Sequence, residues 1–411
     1  MLQAIGVFAI APVFGAAAGL HIGGFPRLRA YGAQKSGGVA GTRADFHVVR
    51  LQQCAALIGP ILLKLEDDLL KGQHEGVALL VGGDFLCLNS KTMTDFTRAS
   101  SVEQPSGHSV LCPAQTTLGV PAHRLHYWEW IPQSGRPACQ ILFCVHGLSR
   151  QGLDFAALAE YLTAKHDILV IAPDVAGRGQ SDWLDNSLHY HAGVYAADMQ
   201  HLINELQSAL PHPLPLTWLG TSMGGLIAMA ALAANAQVCD KLILNDVAPR
   251  LEWDALARIG QYIGAEPHFA SKQEGLDYCK TLSVSFGQLS ADEWLRLNTP
   301  QLRQRCTGDA CDLERPWHLH YDPKIAVLTK AVTPELVAQQ EPLAWGLYDN
   351  LRQPTLLLRG ENSDLISAAT AAEMQARGPQ AQLLTVPNCG HAPALQDLAQ
   401  IQAIEAFLLE N

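Results

Sequence analysis

Positive charge is scarce in this chain relative to negative charge. Lysine and arginine number 28 against 39 aspartates and glutamates, which gives a formal net charge of −11 with neutral histidines. Nucleic acids and anionic membrane surfaces bind to basic patches, so this balance disfavours both as stable partners. Charged residues make up only 16% of the chain and hydrophobic residues 48%, a composition typical of a well-buried globular protein.

Cysteine pairs at the spacing of a metal site are also scarce. Ten cysteines are scattered over 411 residues, and Cys306 and Cys311 form a C-x4-C without a second pair at zinc spacing. A structural zinc site needs four ligands, and a disulfide scaffold needs a higher cysteine density in a shorter chain. We therefore expect reduced thiols and no bound metal.

The amino-terminal stretch is apolar, yet it lacks the features of a targeting segment. No charged residue precedes Arg27, so the basic region that begins a signal peptide is missing. Five glycines between residues 6 and 24 weaken a membrane-spanning helix. The sequence predicts a cytoplasmic protein rather than a secreted or anchored one.

Residues 1–92 differ in composition and hydrophobic pattern from the rest of the chain. They hold 14 of the 34 glycines, and their apolar runs sustain neither a helix period nor a strand period. One hypothesis is that this segment is not part of the working protein and that translation begins at Met93. The alternative is an extension that packs loosely on the following domain, and the intact mass of the natively expressed protein distinguishes the two.

From about residue 118, short apolar strands alternate with helical segments. This alternation predicts an α/β fold with a mostly parallel sheet covered by helices on both faces. The predicted strands are His123–Trp130, Ile141–His146, Ile168–Asp174, a strand beginning at Leu216, Lys241–Val247, Pro354–Arg359 and Gln382–Val386.

The alternation of strand and helix stops between residues 249 and 349. This segment looks mainly helical and holds four of the eight tryptophans. An insertion at this point would lie over the carboxyl ends of the strands, where α/β sheets bind ligands. We therefore predict a helical cap at 249–349 over a core of residues 93–248 and 350–411, with most cap aromatics in its own interior and two or three facing a pocket.

The sequence Gly220-Thr221-Ser222-Met223-Gly224 matches the G-x-S-x-G pattern of a nucleophile elbow. A sharp turn from strand to helix lifts the serine hydroxyl out of the sheet and crowds the positions two before and two after it, which favours glycine there. An apolar strand precedes the motif and an alanine-rich helix follows it. Ser222 is therefore the predicted nucleophile.

A serine nucleophile at neutral pH needs a base, and the base needs an orienting acid. His391 follows the last predicted strand and precedes the last helix, so it is the predicted base. The predicted acid is Asp364, after the penultimate strand. Asp246 is the competing acid because it follows the strand after the elbow, and Glu361 lies close to Asp364 in sequence.

Two backbone N–H groups are expected to stabilise a developing oxyanion. One belongs to Met223, directly after the nucleophile, and the other to Leu148, in the loop after strand Ile141–His146. His146 is expected to be a structural hydrogen-bonding group, while Gly147 lets the loop fold back. The next residues either line the pocket or cap the following helix, and the possible pocket residues are His146, Gly147, Ser149 and Arg150.

The glycine-rich turn from Asp174 to Ser181 is interpreted as a rigid brace for the oxyanion loop, because no phosphate-binding helix pattern follows it. Together these motifs resemble those of the α/β-hydrolase superfamily, near the capped carboxylesterases and the meta-cleavage-product hydrolases. The matching pieces are His146-Gly147, the Asp174–Ser181 turn, Gly220–Gly225, Asp364 and Gly390-His391, which span about residues 118–411.

The resemblance implies an eight-stranded sheet, a cap after the sixth strand, no cofactor and a small-molecule ester substrate. A serine nucleophile argues against dehalogenase and epoxide hydrolase chemistry. Ala392-Pro393 after the histidine, where meta-cleavage-product hydrolases often carry tryptophan, favours simple esters. The alternatives are hydrolysis of C–C bonds or thioesters on the same triad, or a binding protein that kept the fold. The sequence does not indicate an oligomeric state.

Overall fold

A computed structural model describes three short strands before residue 104, and then residues 105–304 and 317–410. The chain divides into two units, whose longest segments are Val13–Glu103 and Gln104–Asn411. In the first unit, β1 (His47–Arg50) pairs parallel with β2 (Val77–Val81), which pairs antiparallel with β3 (Asp84–Leu88). The predicted extension at 1–92 and the start at Met93 otherwise lie outside the described residues and stay predictions, as does any role of Cys306 and Cys311.

The second unit is built on an eight-stranded sheet. Its strand order is β13-β12-β9-β8-β6-β7-β5-β4, in which β5 pairs antiparallel with β4 and β7 and every other pair is parallel. This topology confirms the predicted mostly parallel α/β fold. The strands are β4 (Ser106–Cys112), β5 (His123–Trp130), β6 (Gln140–Val145), β7 (Ile168–Asp174), β8 (Leu216–Thr221), β9 (Lys241–Asn245), β12 (Thr355–Gly360) and β13 (Gln382–Val386).

Helices cover both faces of this sheet. Successive strand residues point to opposite faces, so Leu219 of β8 packs in one buried cluster with Leu158 and Ile404, while its neighbour Trp218 packs in the other with Ile227. The core helices are α1 (Ala156–Lys165), α2 (Ala192–Ala209), α3 (Met223–Ala234), α9 (Ala368–Ala376) and α10 (Leu398–Leu409). The predicted double covering is confirmed, and it leaves the strand ends as the place where side chains can meet.

The edge strand β4 was not predicted from the sequence. Its exposure alternates along Ser106–Cys112, with Gly107 contributing no side chain and Leu111 exposed. A strand that presents one face to solvent has no continuous apolar run, and this one lies before residue 118, where the recognisable alternation begins. Backbone pairing with β5 holds β4 in the sheet although its apolar pattern is weak.

The insertion, which we define as residues 249–349, lies between β9 and β12, the sixth and seventh strands of the sheet in chain order. It contains α4 (Trp253–Tyr262), α5 (Lys272–Leu282), α6 (Ala291–Asn298), α7 (Ala326–Lys330) and α8 (Pro334–Asp349). It also contains an antiparallel pair, β10 (Leu302–Gln304) and β11 (Trp317–Leu319), which the prediction of a mainly helical cap did not include. Strands of three residues are too short to produce a recognisable sequence period.

Helices long and apolar enough to cross a membrane do not occur in the described part of the chain. The cytoplasmic location expected from the sequence stays a prediction.

Candidate active site

Ser222 sits on a strained turn between β8 and α3. Its backbone has φ 52° and ψ −115°, a region that L-residues rarely adopt, and its N–H donates to the carbonyl of Asn245 at 2.9 Å. The flanking glycines are required by space. A Cβ on Gly220 would lie 2.4 Å from the backbone of Gly224, and a Cβ on Gly224 would lie 2.0 Å from the Val145 carbonyl oxygen. The turn therefore has the geometry expected of a nucleophile elbow.

His391 lies in the loop after β13. Because β13 runs parallel to β8, this loop lies at the same edge of the sheet as the elbow. Its Nε2 is 3.0 Å from Ser222 Oγ, which is within hydrogen-bonding distance for accepting the hydroxyl proton. Its backbone carbonyl accepts a hydrogen bond from the hydroxyl of Ser285 in the insertion. The predicted pairing of Ser222 with His391 is thus present.

The carboxylate that contacts His391 belongs to Asp246. Its Oδ2 is 2.8 Å from His391 Nδ1, and the side chain is wholly buried. The Gly360 N–H donates to Oδ1 at 2.9 Å and the Ser363 hydroxyl donates to Oδ2 at 2.7 Å. These bonds fix the carboxylate so that it holds the imidazole ring with Nε2 directed at Ser222.

Asp364, the acid predicted from the sequence, is bonded to Arg258 and not to His391, so the structure contradicts that prediction. Its carboxylate accepts two hydrogen bonds from Arg258, at 2.8 and 3.0 Å, and its side chain is 44% exposed. Glu361 instead accepts the Asn388 N–H at 3.0 Å. Both candidate aspartates follow adjacent parallel strands, β9 and β12, whose carboxyl ends meet at one sheet edge, and the sequence could not show which of them turns inward.

The loop after β6 brings Leu148 into the cleft beside Ser222. His146, which precedes it, is fully buried; its Nδ1–H donates to the Gly147 carbonyl at 2.7 Å and its Nε2 accepts the Val175 N–H at 2.9 Å. Burial lowers the pKa of His146 to about 3, so its imidazole is neutral and structural as predicted. Met223 begins α3, where the first N–H groups have no partner within the helix.

The turn from Asp174 to Ser181 contacts this loop directly. The buried Arg178 side chain donates from Nε to the Leu148 carbonyl at 2.9 Å and from Nη1 to the Tyr195 hydroxyl at 2.7 Å. The Asp174 carboxylate accepts backbone N–H groups of Gly152 and Gln180, both at 2.8 Å. Burial raises the pKa of Asp174 to about 6. These contacts agree with the bracing role expected from the sequence.

A buried histidine of the insertion, His320, completes the support of the loop. Its Nδ1 accepts the Gly179 N–H at 2.8 Å, and its Nε2 lies 3.1 Å from the Ser149 carbonyl and 3.0 Å from Gln301 Oε1. Because Nδ1 accepts, Nε2 carries the proton and the ring is neutral. Burial lowers the pKa of His320 well below the usual value. His320 could not be identified from the sequence, since one histidine among 16 carries no local signature.

A cleft of about 850 Å³, open to solvent, lies above Ser222 and His391. Its walls include the predicted pocket residues Gly147, Ser149 and Arg150, whereas His146 lies buried behind them. Three aromatic residues of the insertion line it, as expected: Tyr262, Phe286 and Tyr321. The other lining residues are Leu148, Thr221, Arg258, Ile259, Ile263, Cys279, Leu282, Ser283, Ser285, Gln301, Leu319, His320 and Ala392.

Comparison with known proteins identifies the family. The family model described as "Alpha/beta hydrolase family" matches residues 142–403, more than half of the chain. The chain therefore belongs to the α/β hydrolase family, and it is a hydrolase.

Named relatives act on ester bonds. The chain is 41% identical over 286 residues to the 3-hydroxybutyrate-oligomer hydrolase of Cupriavidus necator, covering 69% of this chain and 92% of that protein. It is 27% identical over 275 residues to the pimeloyl-[acyl-carrier protein] methyl ester esterase of Xylella fastidiosa, covering 64% and 92% respectively. The crystal structure of an alpha/beta hydrolase from Novosphingobium aromaticivorans matches with a TM-score of 0.59 and 28% identity, covering 74% of this chain and 98% of that one.

Proposed function

We propose that this protein hydrolyses carboxylic esters by a two-step acyl transfer, with Ser222 as nucleophile, His391 as base and Asp246 as the orienting acid. The observation that carries the proposal is the continuous set of hydrogen bonds from Ser222 Oγ to His391 and from His391 to the buried Asp246. Serine hydrolases on unrelated folds share this arrangement of roles.

In the first step, Ser222 Oγ attacks the ester carbonyl carbon while His391 Nε2 accepts the hydroxyl proton. The negative oxygen of the tetrahedral intermediate is stabilised by the backbone N–H groups of Met223 and Leu148, where one such donor contributes roughly 3–4 kcal/mol in comparable sites. The C–O bond then breaks, and the leaving alcohol takes the proton from His391. Water, activated by the same histidine, hydrolyses the acyl-enzyme and restores Ser222.

The proposed substrates are short linear oligomers of 3-hydroxybutyrate, the class named for the relative that shares 41% identity with this chain. The mixed composition of the cleft walls supports a substrate of this kind. Its walls combine apolar side chains such as Leu148, Ile259 and Phe286 with polar groups such as Ser283 and Gln301. Short oligoesters have the same mixed character, with methyl groups along a chain of polar ester groups.

The test is mass spectrometry of the protein quenched during turnover of the linear 3-hydroxybutyrate trimer. We expect an acyl adduct on the peptide that contains Ser222, and steady release of acid in a pH-stat. Ser222→Ala should abolish the adduct and lower kcat by roughly 10⁶-fold, as removal of the nucleophile does in a comparable triad.

The matched control is Ser134→Ala, because Ser134 is exposed and bonds to Asp167, outside the cleft. This variant should keep both adduct and turnover. Retained turnover in Ser222→Ala would refute the mechanism. Substitution of the ester by a thioester or by a dienoic diketone in the same assay separates ester hydrolysis from thioester or C–C bond hydrolysis, and a protein that only binds ligands would form no adduct with any of them.

A further inference from the structure

The two fully charged side chains that line the cleft are both basic, although the chain as a whole is strongly negative. Among the described residues that line it, the side chains that carry full charge are the guanidinium groups of Arg150 and Arg258, and no aspartate or glutamate accompanies them. The whole chain has a net charge of −11. Each guanidinium is paired with a carboxylate, Arg150 with Asp154 and Arg258 with Asp364, so either arginine can bind a substrate anion only by exchanging its present partner.

Arg150 is already committed to holding the protein together. Its Nε and Nη2 donate to the Asp154 carboxylate at 2.7 and 2.8 Å, and Nη2 also donates to the Leu297 carbonyl at 2.8 Å. Its Nη1 donates to Asn298 at 3.2 Å. Four of the five guanidinium N–H groups are thus used, two on Asp154 and two that join the oxyanion loop to α6. Arg150 is therefore poorly placed to exchange partners.

Arg258 is held much less firmly. It lies on α4 and donates to Asp364 from Nε and Nη2, and the two side chains are 41% and 44% exposed. Such an exposed ion pair stabilises a protein by only about 0–1 kcal/mol. The partner is itself a carboxylate, so Arg258 already presents its paired N–H groups in the geometry that binds a carboxylate with two hydrogen bonds.

We propose that Arg258 binds the free carboxylate of the substrate, exchanging Asp364 for it, and that the enzyme therefore selects esters whose alcohol part carries a carboxylate. This inference rests on the proposed function. In a linear oligomer of a hydroxy acid, the free carboxylate always lies on the alcohol side of every ester bond. Arg258 therefore acts on the leaving group, and the Ser222 acyl-enzyme that remains is the same whether or not the carboxylate was present.

This arrangement predicts a kinetic signature. The carboxylate raises kcat/KM, which reports binding and acylation, and leaves the rate of deacylation unchanged because the acyl group is identical. Two charge-assisted hydrogen bonds correspond to a preference of about 10- to 100-fold. The measurement compares the linear 3-hydroxybutyrate dimer with its terminal primary amide, which has the same shape and the same single ester bond but no charge.

Four variants make the test specific. Arg258→Gln should reduce the ratio of kcat/KM for acid over amide to near one, and Arg258→Lys should keep part of it. Asp364→Asn should increase the ratio because it removes the competing carboxylate. Arg124→Gln is the matched control, because Arg124 forms an exposed pair with Asp182 and does not line the cleft, and it should keep the wild-type ratio.

Both substrates are measured on one preparation, so the ratio is independent of the fraction of folded protein. An unchanged ratio in Arg258→Gln, or a wild-type enzyme without preference for the acid, would overturn the inference. Failure of the proposed function looks different, because then neither the acid nor the amide would give an acyl adduct on Ser222.

Discussion

Gly224 occupies the position where the elbow backbone comes closest to the neighbouring strand. A Cβ there would lie 2.0 Å from the carbonyl oxygen of Val145, which cannot move without distorting β6. We expect Gly224→Ala to destabilise the protein by more than about 2 kcal/mol and to abolish activity, because the backbone must shift around Ser222.

Gly260 supplies a matched control for this substitution. It lies within α4, and apart from its chain neighbours and the backbone of its own helix, no heavy atom of the described residues lies within 4 Å of a Cβ built on it. Gly260→Ala should therefore stabilise the protein by about 0.5–1 kcal/mol through its helix propensity. Urea unfolding of both variants measures the difference, and equal effects at the two positions would contradict the steric explanation.

Single residues also show how far the site could be predicted from the sequence. Ser222 and His391 were identified because their local surroundings are distinctive, glycines around the serine and a strand and a helix around the histidine. Asp246 and Asp364 each follow a strand of the same sheet edge, and local sequence does not separate them. The structure separates them because Ser363 and Gly360 donate to Asp246, while Arg258 holds Asp364 at the surface.

At the scale of elements, the insertion and the core loops are joined through His320. Its neutral ring, directly after β11 of the insertion, connects to Ser149 of the oxyanion loop and to Gly179 of the bracing turn. Sequence periodicity predicted the long elements of the core well, because their burial is strong. It did not predict β10 and β11, whose pairing depends on contacts between distant segments rather than on a local pattern.

The contact at His320 makes stability depend on pH. The pKa of His320 is lowered in the folded protein, so below about pH 6.5 the unfolded chain binds a proton that the folded chain excludes. The contribution of His320 is thus present at neutral pH and is lost as the pH falls. Such a group makes the free energy of unfolding decrease as the pH falls, with a slope that approaches about 1.4 kcal/mol per pH unit once the histidine of the unfolded chain is fully protonated.

His320→Gln tests this dependence, since glutamine keeps one donor and one acceptor but does not titrate. Urea unfolding between pH 6.5 and 5 should give a slope of unfolding free energy against pH that is smaller in His320→Gln than in the wild type, by roughly 1 kcal/mol per unit on average over this range. The neutral His146 contributes a slope of the same sign in both proteins. Identical slopes would show that His320 is not neutral in the folded state.

At the scale of the whole molecule, the fold places the proposed catalytic residues and the arginine proposed to bind substrate at one edge of the sheet. The strand ends supply Ser222, Asp246 and His391, and the insertion adds Arg258 above them. Alternating strands and helices were enough to predict this architecture, since a parallel sheet gathers its carboxyl ends at one edge. The position of the two arginines in the cleft could not be predicted from composition, because a net charge of −11 does not say where the arginines lie.

The central claim is that Ser222, His391 and Asp246 act together, and it is tested most directly by comparing Asp246→Asn with Asp364→Asn. The measurement is kcat for the dimer amide, a substrate without the carboxylate that Arg258 would bind. Asparagine at position 246 should lower kcat by roughly 10⁴-fold, as the same change does in a comparable triad, while Asp364→Asn should stay within a few-fold of the wild type. A loss of turnover in Asp364→Asn with activity retained in Asp246→Asn would contradict the account.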